Sequence, residues 1–214
     1  MKSMEFLIDF ILHLDQHLIA IVNDYGTLTY VILFLIIFTE TGLIVMPFLP
    51  GDSLLFAAGA IAALPNSTLN VMFIIPLLIV AALLGDNVNY FVGRFAGTFV
   101  KSKERILFFK RDYIIQTEAF YEKHGAKTII MARFVPIVRT IAPFVAGAGS
   151  MKYRNYILNC VAGGVLWVVG LTMLGFLFGN LPIIKNNFEK VIIAIILISI
   201  LPMVIGFVKG RSKK

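Results

Sequence analysis

The strongest constraint on this chain is a set of apolar stretches long enough to cross a lipid bilayer. Residues 71–92, 156–179 and 191–208 each approach or exceed the roughly 20 helical residues that span about 30 Å of hydrocarbon. Hydrophobic residues make up 59% of the 214 residues, and the mean hydropathy is +0.90. A soluble domain is about 45–50% apolar, and a chain of this size cannot bury so much apolar surface in one core. We therefore predict an integral membrane protein.

The first 24 residues are apolar but carry a polar stripe. Polar side chains recur three or four residues apart, at Glu5, Asp9, His13, Gln16 and His17. Such a face suits an amphipathic helix that lies at the membrane interface, and equally a span whose stripe packs against protein. We interpret the stripe as a solvated face rather than a set of metal ligands, and we predict no metal and no other cofactor.

Two further apolar stretches, about residues 28–64 and 126–150, are interrupted by proline. The predicted breakers are Pro47, Pro50 and Gly51 in the first stretch and Pro136 and Pro143 in the second. The flanks are too apolar for aqueous loops, and the arms are too short to cross the bilayer. Because broken backbone inside a membrane must lie against protein or a wet cavity, we predict two re-entrant helical hairpins.

Basic residues set the predicted orientation. Residues 94–127 and the tail 209–214 are rich in Lys and Arg, which marks both as cytoplasmic. The span 71–92 then makes the first hairpin enter from outside, whereas the second enters from the cytoplasm. The predicted fold class is an all-α integral membrane protein over residues 25–208, an inverted repeat with two re-entrant hairpins plus transmembrane helices. This architecture is typical of secondary transporters.

Four ionisable residues fall inside the hairpins: Glu40, Asp52, Arg133 and Arg139. A charge at the bilayer centre costs about 2.5–3.5 kcal/mol on insertion scales, so these groups must face protein, water or one another. Two interpretations fit, namely ion pairs that hold the hairpins together and a polar binding site at the repeat interface. Paired arginines favour bidentate binding of phosphate or carboxylate. The acids are candidate proton carriers, since burial favours their neutral form.

Some other residues in the apolar segments are secondary candidates. Asp86 falls near the end of its predicted span, where helix packing or capping is favoured over substrate contact, and Arg94 suits an anchor at the interface. Trp167 falls in mid-span, where packing is the simpler interpretation. Cys160 is predicted to be a small buried thiol.

Taken together, the motifs resemble those of the DedA family of bacterial membrane proteins, also called SNARE-associated or VTT-domain proteins. The matching motifs, over roughly residues 25–180, are Glu40 with Pro47-x-x-Pro50-Gly51-Asp52, then Gly85-Asp86-x-x-x-Tyr90-x-x-Gly93-Arg94-x-x-Gly97, Arg133-Phe134-x-Pro136-x-x-Arg139, and the span with Trp167. The resemblance implies a transporter that returns undecaprenyl phosphate, the carrier lipid of cell-wall synthesis, to the cytoplasmic leaflet. It also implies an essential acidic pair, Glu40 and Asp52, and an essential arginine pair, Arg133 and Arg139.

The leading functional prediction is therefore a proton-coupled flippase for a polyprenyl phosphate in the bacterial cytoplasmic membrane. Arg133 and Arg139 are the predicted substrate-binding residues, and Glu40 and Asp52 the predicted proton-coupling residues. The expected partners are the polyprenyl phosphate, membrane lipids and protons. We interpret the net charge of +7 as a sign of anionic headgroups rather than nucleic acid. The sequence leaves both a monomer and a homodimer open.

Several other functions fit parts of the pattern. A proton-coupled carrier of ions or small solutes could use the same acids, although an arginine pair disfavours a cation. A phospholipid scramblase and a non-transporting assembly factor also stay open. An enzyme such as a lipid phosphatase is not expected, because His13, His17 and His124 all lie outside the charged hairpins.

Overall fold

The computed structural model describes most of the central chain. It covers residues 25–43, 51–65, 67–100, 105–106, 109–110, 121, 125–149, 151–188, 190–191, 193–195 and 197–198. The predicted N-terminal helix, the predicted breakers Pro47 and Pro50, and the basic tail 209–214 lie outside these residues. Most of the predicted span 191–208 lies outside them as well.

Helices make up almost all of the described chain. In order they are α1 Leu28–Gly42, α2 Gly51–Ala62, α3 Val71–Val100, α4 Thr128–Ala132, α5 Pro136–Ala148, α6 Tyr153–Phe178 and α7 Pro182–Lys185. A 3₁₀ turn, Gly125–Lys127, leads into α4. The exception is a small antiparallel ladder in the basic segment, where β1 Arg105–Ile106 pairs with β2 Phe109–Lys110. The prediction of a helical protein is confirmed apart from this ladder.

Two of the helices are long and apolar enough to cross a membrane. They are Val71–Phe95 within α3 and Tyr153–Phe178, which is α6. Only 33% of the most apolar window of each is buried inside the protein, so most of that surface faces outward, unlike a soluble core helix. Large apolar side chains such as Phe73 and Leu166 are exposed, as lipid-facing residues would be. Both predicted spans are therefore helical, and α3 runs on to Val100 rather than ending at 92.

The helices of the predicted hairpin regions are shorter. α1, α2 and α5 have 15, 12 and 13 residues, below the roughly 20 that a full crossing takes. α2 begins at Gly51, the last of the three breakers predicted for the first stretch. A turn at Arg133–Val135 separates α4 from α5, and Pro136 takes the first helical position, where its missing N–H costs nothing.

The prediction that Pro143 breaks the second hairpin is wrong. Pro143 lies inside α5, which continues through it to Ala148. An internal proline removes one backbone hydrogen bond, here the one to the carbonyl of Arg139. Helices at membrane depth tolerate this loss when neighbouring groups can satisfy the freed carbonyl.

The described chain divides into two compact units. The first holds α1 up to Ile36, α2, α3 up to Ile79, and the chain from Val168 onward. In this unit α2 packs on the end of α6 through glycine. A Cβ atom built on Gly59 would lie 2.0 Å from the carbonyl oxygen of Thr172, and one on Gly175 would lie 1.9 Å from that of Phe56. These contacts bring two helix backbones together with no side chain between them.

The second unit holds α1 from Ile37, α3 from Val80, and the chain through Trp167. Its α5 packs on the end of α3, again through glycine. A Cβ on Gly147 would lie 1.9 Å from the carbonyl oxygen of Tyr90, and one on Gly93 would lie 2.0 Å from that of Phe144. This unit contains a buried cluster that includes Tyr90, Ile129, Ala132, Ala142, Ala146, Tyr156 and Cys160.

Candidate functional site

Four charged side chains are buried among the described residues of the second unit: Glu40, Asp86, Arg133 and Arg139. Their exposed fractions are 0%, 2%, 5% and 9%. We call these four residues the arginine–carboxylate cluster. Charges at such depth are retained only when they are paired or bind something, because the loss of hydration is costly.

Glu40 and Arg139 form one ion pair of the cluster. Nη2 of Arg139, in the first turn of α5, donates to Oε1 of Glu40, near the end of α1. This pair joins the two predicted hairpin regions, as one of the interpretations of the sequence expected. The close approach of α1 and α3 supports its position, since a Cβ on Gly85 would lie 2.0 Å from Oγ1 of Thr41.

Asp86 and Arg133 form the other ion pair. Nη1 of Arg133, in the turn after α4, donates to Oδ2 of Asp86 in α3. The thiol of Cys160 donates to the same Oδ2, with Sγ at 3.1 Å, and the hydroxyl of Tyr156 donates to the backbone carbonyl of Asp86 at 2.8 Å. Asp86 is thus a buried counter-ion, a role that its assignment to packing or capping missed.

Trp167 contacts both arginines. The Cζ atom of Arg133 lies 5.1 Å from the centroid of the Trp167 ring system, and that of Arg139 lies 5.0 Å from it. Both distances are within the range of a cation–π interaction. Trp167 in α6 therefore holds two guanidinium groups at one aromatic ring, beyond the simple packing that its mid-span position suggested.

Polar contacts fix the helices around the cluster. Nδ2 of Asn89 in α3 donates to the carbonyl of Thr41 at 2.7 Å and to that of Thr140 at 3.4 Å, which ties α1, α3 and α5 together. The hydroxyl of Tyr121 donates to the carbonyl of Ala142 at 2.7 Å. Burial raises the pKa of the Tyr121 phenol above its ordinary value, so this group stays a neutral donor. Neither Asn89 nor Tyr121 was predicted from the sequence, although an Asn in an apolar helix is a usable signal.

Not every predicted site residue belongs to the cluster. Asp52 lies in the first unit, half-buried in the first turn of α2, whose first residue is Gly51. Arg94 is exposed on α3, which agrees with an anchoring side chain. Pro136 begins the helix that carries Arg139, and so sets where that arginine lies. Among the described residues, no group of three or more His, Cys, Asp or Glu side chains could hold a metal ion.

This chemistry suits the binding of an anion. Two guanidinium groups offer planar sets of N–H donors that match the oxygens of phosphate or carboxylate. Each already has a carboxylate, so an incoming oxyanion either competes with that acid or uses the remaining N–H groups. Cys160 is buried and bound to an acid that is itself ion-paired, which does not favour a reactive thiolate.

Comparison with known proteins agrees with these features. The VTT domain model matches residues 49–177. The chain is 53% identical to "Protein DedA" of Escherichia coli K12 over 211 residues, which cover 99% of this chain and 96% of that protein. It is 43% identical to an uncharacterized membrane protein of Mycobacterium leprae over 80% of this chain and 76% of the relative. It is also 32% identical to "Inner membrane protein YqjA" of Escherichia coli K12, over 83% of this chain and 80% of that protein.

The chain therefore belongs to the DedA family of membrane proteins, as its motifs indicated. No solved structure matches it.

Proposed function

We propose that this protein is a transporter that returns a polyprenyl phosphate, with undecaprenyl phosphate as the first candidate, across the bacterial cytoplasmic membrane. The observation that carries the proposal is the pair of buried arginines, Arg133 and Arg139, held at one indole ring in a protein of a membrane family. Arginine forks fit a terminal phosphate. The long tail of such a lipid can stay in the bilayer, so the protein needs a polar path for the headgroup alone.

Proton coupling follows from the Glu40–Arg139 pair. A phosphate bound at Arg139 supplies the negative charge that Glu40 supplies at rest. Glu40 then lies in a low-dielectric site with a weakened counter-charge, and its neutral, protonated form is favoured. Carrying one negative charge to the negative inside costs about 2.3 kcal/mol per 100 mV, and a proton moved with the lipid offsets that cost. Asp52 is the second proposed proton carrier.

We also propose that the fold is an inverted repeat with two re-entrant hairpins. Its support is that the two units use the same packing motif. In the first, Phe56-Ala-Ala-Gly59-Ala lies on Thr172-x-x-Gly175, and in the second, Phe144-Val-Ala-Gly147-Ala lies on Tyr90-x-x-Gly93. In each, a hairpin helix meets the end of a long helix through one glycine from either side. Residue-level likeness of this kind is what a duplicated unit leaves behind.

Orientation is the part of this architecture that labelling can test. The basic segment 94–127 and the C-terminal tail are proposed to be cytoplasmic. Single cysteines in these segments, on a Cys160→Ala background, should react with an impermeant maleimide only after the inner face is opened. A cysteine at Asn70 should react from outside. Labelling of Asn70 and the tail from the same side would contradict the inverted repeat.

The transport proposal is tested by leaflet-resolved labelling of undecaprenyl phosphate in cells with and without this protein. We expect the lipid to accumulate in the outer leaflet when the protein is absent, and the wild-type gene but not Arg139→Lys to restore its return. A probe for phosphatidylglycerol in the same cells separates a polyprenyl phosphate carrier from a phospholipid scramblase. An unchanged distribution of both lipids would overturn the proposal.

A further inference from the structure

Arg133 has an edge that its ion pair does not use. Its side chain is 5% exposed, and Nη1 is bound to Asp86. Within the described part of the chain, neither Nε nor Nη2 of Arg133 has a hydrogen-bond partner. Buried N–H groups nearly always have partners, so two such groups on one charged side chain mark a place for a ligand.

The unused edge has the geometry of an oxyanion contact. In a planar guanidinium, the N–H of Nε and one N–H of Nη2 point in the same direction and can donate to two oxygens of one anion. Asp86 binds Nη1 of Arg133, and Trp167 lies 5.1 Å from Cζ. Asp86 is in turn fixed by Cys160 and by Tyr156. The guanidinium is thereby held in place with its Nε–Nη2 edge available to a ligand.

Gly164 lies over the face of this guanidinium. A Cβ atom built on Gly164 in α6 would lie 3.7 Å from Nη2 of Arg133, 3.8 Å from Cζ and 3.5 Å from Cδ2 of Leu83, which are ordinary contact distances. Because the Cβ would be almost equally far from Nη2 and Cζ, it would cover the face of the guanidinium and leave the Nε–Nη2 edge open.

We propose that the Nε–Nη2 edge of Arg133 is a bidentate subsite for a phosphate monoester, and that Asp86 is the positioning residue that keeps the edge presented. This inference rests on the proposed transport function and refines it. A phosphate at this subsite binds without displacing Asp86, because Asp86 is bound to Nη1. The shared chemistry is a terminal phosphate, which a lipid phosphate and free inorganic phosphate both carry.

Two lysine variants test the subsite. Arg133→Lys keeps the charge beside Asp86 but removes the Nε–Nη2 edge, whereas Arg94→Lys is a matched control, because Arg94 is exposed and outside the cluster. The full-length protein in detergent micelles is titrated with farnesyl phosphate, farnesol and inorganic phosphate by calorimetry. We expect Arg133→Lys to weaken farnesyl phosphate binding by about tenfold and Arg94→Lys to match the wild type. Inorganic phosphate that binds as tightly as farnesyl phosphate would assign the subsite to free phosphate.

A second measurement follows the wild-type protein by nuclear magnetic resonance. The Nε–H resonance of Arg133, assigned by its loss in Arg133→Lys, should shift on addition of farnesyl phosphate and stay in place with farnesol. An unshifted resonance, or an Arg133→Lys variant that binds like Arg94→Lys, would overturn the edge assignment. If in that case Arg139→Lys still weakens binding, the proposed function stands. If the wild type does not distinguish farnesyl phosphate from farnesol, the proposed function fails and this inference fails with it.

Discussion

At the scale of single residues, the notable arrangement is that each buried arginine has a carboxylate of its own. Arg139 is paired with Glu40 and Arg133 with Asp86, and both arginines share the ring of Trp167. Buried ion pairs seldom add net stability, because the desolvation of both charges offsets their attraction. A fold that only needed to hold these helices together could do so with apolar side chains, so binding is the better explanation for the charges.

Arg139→Lys tests whether the fork of donors matters as well as the charge. Lysine keeps the charge but presents a compact ammonium that cannot bind two oxygens in one plane. We expect about a tenfold loss of farnesyl phosphate affinity, measured by calorimetry in detergent. Arg94→Lys is the control, since Arg94 is exposed and outside the cluster. Wild-type affinity in Arg139→Lys would mean that Arg139 contributes only its positive charge to binding.

The Glu40–Arg139 pair also predicts a pattern in stability. Removing one partner of a buried pair leaves an uncompensated charge and costs about 3–5 kcal/mol in the free energy of unfolding. We expect Glu40→Gln and Arg139→Gln each to show that loss in denaturant unfolding, and the double variant to recover much of it. Additive losses in the double variant would mean that the two side chains do not depend on each other.

Proton coupling predicts how binding depends on pH. If phosphate at Arg139 makes Glu40 take up a proton, lipid phosphate affinity rises as pH falls, and proton binding and lipid binding strengthen each other equally. An unperturbed Glu titrates near pH 4.3, whereas a phosphate monoester takes up its second proton near pH 6, so the contribution of Glu40 is the difference between the wild-type and Glu40→Gln curves. We expect affinity to rise less in Glu40→Gln between about pH 8 and pH 6. Identical curves for the two proteins would exclude Glu40 as the carrier.

At the scale of helices, glycine determines how closely the backbones pack. Gly147 meets the backbone of Tyr90, and a methyl group there would lie 1.9 Å from a carbonyl oxygen. The helices must separate to accept it, so Gly147→Ala should lower stability by about 1–3 kcal/mol. Gly170→Ala, in open space on α6, should leave stability unchanged or raise it slightly. The measurement is the thermal unfolding midpoint in detergent, and equal midpoints would contradict the packing.

The helices were also the most predictable feature of the sequence. Long apolar runs identified α3 and α6 because a helix that crosses the bilayer needs about 20 predominantly apolar residues. The end of α3 was not predicted correctly, because Gly93 and Arg94 resemble the end of a helix. A glycine that contacts another backbone is, however, compatible with a helix that continues. Pro143 was misread for a similar reason, because a proline in the sequence does not reveal whether its neighbours can satisfy one freed carbonyl.

The pairing of charges was harder to predict than their presence. Glu40, Arg133 and Arg139 stand out in the sequence because an ionisable side chain in an apolar segment of a membrane protein is costly. Asp86 carries the same signal, but its position at the predicted end of a span suggested water nearby. Which acid meets which arginine depends on how the helices cross, as at Gly42 and Gly85, and no local pattern encodes that crossing.

At the scale of the whole molecule, the account requires that a lipid phosphate crosses the membrane. The most direct measurement uses purified protein in proteoliposomes loaded with labelled undecaprenyl phosphate, with an imposed proton gradient and a leaflet-specific readout of the label. We predict faster transfer than in protein-free vesicles, a further increase with the gradient, equal rates for wild type and Gly170→Ala, and loss of transfer in Arg139→Lys. Transfer at the protein-free rate by a folded wild-type protein would contradict the account.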